Sequence, residues 1–72
     1  MKTSIPEYVT SLEERVSFFM RNSRHMKTRE ARRHYLASMA LCRVVGDFTG
    51  EEIWDVYDRI QHAMYEAEAA AA

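Results

Sequence analysis

Apolar residues recur at helical spacing in three stretches of the chain, and no stretch alternates as a strand does. In the first, Ile5, Tyr8, Val9, Leu12, Val16, Phe19 and Met20 share a face. Ser4 and Glu7 stand in the S-x-x-E capping arrangement, and Pro6 sits in the first turn, where a missing N–H costs nothing. The pattern predicts a helix from about Ile5 to Asn22. The stretch Ser23 to Thr28 has no period and reads as a link, with Thr28 as a candidate N-cap. A second helix is predicted from about Arg29 to Val45, with a stripe of Ala31, Tyr35, Cys42 and Val45. Ser38 is a small polar member of this stripe, Met39 and Leu41 flank it, and Gly46 reads as the C-terminal stop. The Ser38 hydroxyl can be absorbed by bonding back to a carbonyl one turn earlier.

The third start carries the densest local signal. Thr49 and Glu52 match a T-x-x-E capping box, and Phe48 and Ile53 match the hydrophobic staple that accompanies it. The helix that follows, placed over 50–67, presents Ile53, Val56, Tyr57, Ile60, Ala63, Met64 and Ala67 on one face. Residues 69–72 are alanines with nothing to pack on and are expected to fray. The expectation is one all-α domain over 1–68, a three-helix bundle or a hairpin with a third helix across it, and dimeric.

Dimerisation is suggested by apolar side chains that lie off the core stripes: Phe18 on the first helix, Leu36, Ala40 and Val44 on the second, Trp54 and Tyr65 on the third. Length sharpens the point. A chain of 72 residues, 47% of them hydrophobic, buries a modest fraction of its surface, so good helix packing or an added partner must make up the difference. The single cysteine, Cys42, excludes an internal disulfide and fits a reducing compartment, hence a cytoplasmic expectation. No apolar run reaches the length of a membrane span, and the N-terminus lacks the layout of a signal peptide, so no membrane association is expected.

The net charge of −1 hides a polarised distribution. Between Arg21 and His34, Arg21, Arg24, Lys27, Arg29, Arg32 and Arg33 stand against Glu30 alone, a local charge of +5 that leaves −6 for the rest. Arg21 and Arg24 suit a helix C-terminus. Arg29, Arg32 and Arg33 do not suit the start of a helix, where unpaired N–H groups already make the potential positive. Such a place binds carboxylate or phosphate, which makes Arg24, Lys27, Arg29, Arg32 and Arg33 the candidate anion or partner site, with His25 beside it. The opposite possibility is pairing with the acidic line Glu51, Asp55, Asp58 and Glu66 of the third helix.

Enzyme chemistry finds no support in the pattern: there is no phosphate loop, nucleophile elbow or paired-carboxylate cleft, and no cofactor is expected. Glu30 with His34, and Asp58 with His62 and Glu66, have the helical spacing of metal ligands, but ordinary side-chain pairing accounts for them, the H-E-x-x-H signature is absent, and no metal is expected. Cys42, on the inward stripe, reads as a small apolar residue. The functional expectation is a non-enzymatic interaction module that regulates or inhibits a larger protein, using the second apolar faces Phe18, Leu36, Ala40, Val44, Trp54 and Tyr65 and the basic elbow against an acidic partner surface. The alternative is a nucleic-acid-binding regulator that uses the Arg21–His34 elbow; a link too long for a tight helix-turn-helix, an acidic third helix and the negative net charge count against it.

Overall fold

The computed structural model describes residues 5–71. Three helices make it up, α1 (Glu7–Ser23), α2 (Thr28–Thr49) and α3 (Ile53–Ala71), with no strand among the described residues. α1 and α2 form an antiparallel hairpin: Tyr8 at the start of α1 meets Phe48 at the end of α2 with ring centroids 5.1 Å apart, and Phe19 near the end of α1 lies 5.2 Å from His34 early in α2. α3 runs back along α2, which brings Tyr57 within 6.2 Å of Tyr35 and Tyr65 under Arg24. The α1–α2 seam is the most extensive and α1–α3 the least, so the bundle is a hairpin with α3 laid on one side.

The core is built of aliphatic and sulfur-bearing side chains, with no aromatic ring fully buried among the described residues. Val9, Val16 and Met20 of α1, Cys42 and Val45 of α2, and Val56, Ile60 and Met64 of α3 are buried, with Leu12, Leu41, Ile53 and Tyr57 packed around them. Each full burial of such a side chain contributes about 1.5–3 kcal/mol. Ser38 is fully buried, and its hydroxyl donates to the His34 carbonyl at 2.9 Å, so it enters the core without leaving an open polar group. The ends of the predicted stripes are less buried than the pattern implies. Ile5, Tyr8 and Ala67 are exposed at the ends, and Tyr35 and Ala63 are exposed within their stripes.

The turn between α2 and α3 corrects three sequence expectations. Gly46 does not stop α2; it is buried inside the helix, which continues to Thr49 and ends at Gly50, the residue with left-handed backbone (φ 79°), whose N–H bonds the Gly46 carbonyl at 2.8 Å. Thr49 does not cap α3. Its hydroxyl accepts a bond from the Glu51 N–H at 3.4 Å, and α3 starts at Ile53 after Glu52, whose carbonyl accepts from Asp55 and Val56. The staple positions shift with it: Phe48 lies inside α2 with its ring on Tyr8 of α1, and Ile53 is the first residue of α3, not its fourth. The physical reason is Gly46. A Cβ there would stand 2.6 Å from the Glu51 carbonyl oxygen, so the lack of a side chain lets α2 run a further turn while the chain folds back across it.

At the other termini, Pro6 is the N-cap of α1 with extended backbone, and Ser4, the sequence candidate for that cap, lies outside the described residues. α3 continues through Ala71, past the expected end at Ala67, as the helix preference of alanine allows; Ala72 lies outside the described residues.

Candidate functional site

The basic elbow forms where α1 ends, the chain turns through residues 24–27, and α2 begins. Thr28, expected as the N-cap of α2, is its first helical residue. Lys27 occupies the cap with extended backbone and no side-chain bond to the amides beyond it. The first N–H groups of α2 are thus left without a side-chain acceptor, at the end of the helix where the dipole is positive. Lys27, Arg29, Arg32 and Arg33 surround this end and are exposed, and among the described residues none of them has an ion-pair partner. Glu30 and His34 do not pair with each other either; His34 turns toward Phe18 and Phe19.

Arg24 differs from the rest of the candidate set. Its guanidinium lies 4.5 Å over the Tyr65 ring and 3.8 Å from Glu68, while Arg21 stands 3.9 Å from the same carboxylate. The acid that returns to the elbow is therefore Glu68, and not Glu51, Asp55, Asp58 or Glu66. Glu51 is engaged at the opposite end of the molecule, where Arg59 of α3 bonds Glu51 at 2.9 Å and Glu13 of α1 at 2.8 Å. This clamp ties α3 to both its own turn and α1. The Arg59 hydrogen bond, with a lesser one from Thr49, holds the Glu51 carboxyl below its ordinary range, and the same pairing raises Arg59. Its sequence signal, an Arg on the inward edge of α3 opposite a Glu on the edge of the α1 stripe, becomes readable once the helix order in space is known.

The six off-stripe apolar residues are all exposed and fall on three surfaces. Phe18 lies at the α1–α2 seam against Phe19 and His34. Leu36, Ala40 and Val44 run in one line along α2 on the side away from its buried Ser38, Cys42 and Val45. Trp54, 57% exposed, touches Tyr57, which continues to Tyr35 across the α2–α3 seam, and Tyr65 extends that side toward the elbow beneath Arg24. Sequence periodicity missed one further exposed patch, Tyr8 with Phe48, because each was assigned to a burial it does not make.

The chemistry of the remaining features is sparse. Burial pushes the Cys42 thiol up to about 11, which leaves it protonated at neutral pH. Asp58, His62 and Glu66 do not converge: among the described residues no three His, Cys, Asp or Glu side chains are placed to hold a metal ion. A cleft of about 260 Å³ lies at the α2–α3 turn, lined by Arg43, Asp47, Glu51, Glu52 and Ile53, with carboxylates and no nucleophile. Among the described residues no helix is long and apolar enough to cross a membrane. No protein-family model matches the chain, and neither a curated protein nor a solved structure matches it.

Proposed function

We propose that the chain is a non-enzymatic helical interaction module that self-associates and regulates or inhibits a larger cytoplasmic protein by docking the basic elbow on an acidic surface of it. One observation carries this reading: Arg21 and Arg24 lie 3.9 and 3.8 Å from Glu68, whereas among the described residues Lys27, Arg29, Arg32 and Arg33 have no ion-pair partner at a helix N-terminus that has no side-chain cap. A cluster of cations at such a helix end suits carboxylates, which Arg binds in bidentate fashion. The neighbouring aromatic edge, Trp54, Tyr57, Tyr35 and Tyr65, has the composition of protein-binding hot spots.

Nucleic acid is the second reading, favoured by the same four cations, Lys27, Arg29, Arg32 and Arg33. α3 weighs against it, because Glu68 brings acidic charge to the elbow end. Crosslinking capture from host extract, with nuclease treatment in parallel, separates the two. The protein reading expects a nuclease-resistant protein adduct that is lost in the Arg32→Ala, Arg33→Ala double variant. An adduct that disappears with nuclease, or one indifferent to both arginines, refutes it.

A further inference from the structure

The outer line of α2 is self-complementary. Facing away from the core, Arg29, Arg33, Leu36, Ala40, Val44 and Asp47 follow one another at three- and four-residue steps, and all are exposed; Leu36 is 55% exposed. Counted from Ala40, Leu36 lies four residues before and Val44 four after, Arg33 seven before and Asp47 seven after. In two antiparallel helices that cross at Ala40, residues equally far on either side of it come to the same height. Leu36 then faces Val44, Arg33 faces Asp47, and the two Ala40 methyls meet where helix axes at about 8–10 Å need small side chains. A parallel pair would instead set Arg33 on Arg33 and Asp47 on Asp47. Neither Arg33 nor Asp47 has an ion-pair partner within the chain among the described residues.

We infer that α2 is the self-association surface and that its occupant is a second copy of this chain, bound antiparallel about a two-fold axis at Ala40. The inference rests on the proposed self-association and adds its face, direction and register. A two-fold contact needs one patch that complements itself, and every cross-pair then occurs twice. This side of α2 is open, since its residues are exposed and α1 and α3 pack on its other sides.

Sedimentation equilibrium of the full chain at micromolar concentration tests the inference, with circular dichroism as the check on folding. The wild type is expected at twice 8.5 kDa. Ala40→Glu, at an exposed site, should keep its helicity and sediment as a monomer. Arg33→Glu should weaken the dimer about tenfold, since two attractive pairs become two repulsive ones, and Arg33→Glu with Asp47→Arg should restore it. A monomeric wild type overturns both the self-association reading and this inference. A dimer that ignores Ala40→Glu, or a charge reversal that Asp47→Arg does not rescue, leaves self-association standing and overturns the α2 pairing.

Discussion

Gly46→Ala sets two effects of opposite sign against each other. By helix propensity alone the substitution stabilises, by about 1 kcal/mol for an interior position. Geometry opposes it: the new Cβ would lie 2.6 Å from the Glu51 carbonyl oxygen, where ordinary contact begins near 3.4 Å, and 3.7 Å from a Val56 methyl behind it. Relief requires the backbone of the turn to move by about 0.8 Å, the gap between those distances. That backbone is tied by the Gly50 N–H on the Gly46 carbonyl, by Thr49 on the Glu51 N–H, and by Arg59 on the Glu51 side chain. Forcing a methyl into such a place costs about 1–3 kcal/mol beyond what it gains. The net expectation is a loss of about 1–3 kcal/mol, seen as a fall in Tm of roughly 4–24 °C for a domain of this size. Urea and thermal melts followed by circular dichroism measure it. A rise in Tm on Gly46→Ala would show that Gly46 behaves as an ordinary open helical position, and would refute the close crossing.

Other consequences are as specific. Gly50→Ala should cost about 1 kcal/mol through left-handed backbone strain, and Gly50→Asn less, which equal melts for the two would contradict. Cys42 should react with an aromatic disulfide reagent only on unfolding; prompt stoichiometric reaction of the native protein at pH 8 would show the thiol to be open. Because the folded state lowers the Glu51 pKa from about 4.5, its contribution is present above that value and fades as pH falls through the lowered one. Tm should therefore drop less steeply in acid for Glu51→Gln than for the wild type, and parallel profiles would discount the Arg59 clamp. Ser38→Ala removes a hydroxyl bonded only to its own helix, so stability should stay within about 0.5 kcal/mol. A loss several times larger would reveal another partner for that hydroxyl.

What the sequence made legible follows the range of each interaction. Val9, Val16, Met20, Cys42, Val45, Val56, Ile60 and Met64 were readable because burial repeats with the helix, a local period. The α2–α3 turn was misread for an equally physical reason. Thr49 and Glu52 have the spacing of a capping box, and two glycines four residues apart both qualify as a stop. The choice between them is made by the close approach of the Glu51 carbonyl to Gly46, a contact no local pattern encodes. The elbow shows the same division. Its excess of positive charge was visible, whereas the removal of Arg21 and Arg24 by Glu68 depends on α3 returning to that end.

The elbow and the proposed α2 pairing share one residue, Arg33, and this makes their relation testable. At 1.5 Å per residue, twelve residues separate Thr28 from Ala40, so an antiparallel pair holds its two elbows about 36 Å apart, at opposite ends. If Arg33 is committed to Asp47 of the second copy, Lys27, Arg29 and Arg32 still face outward at each end. An exposed ion pair contributes less than about 1 kcal/mol, so the apolar contacts of Leu36, Ala40 and Val44 must supply most of the association. An acidic ligand that draws Arg33 away therefore weakens the pair only modestly, and both elbows stay usable on one particle. An oligoglutamate peptide added to the dimer should raise its sedimenting mass by two peptides. Dissociation to a monomer carrying one peptide would mean that Arg33 holds the pair together and that binding at the elbow opposes self-association.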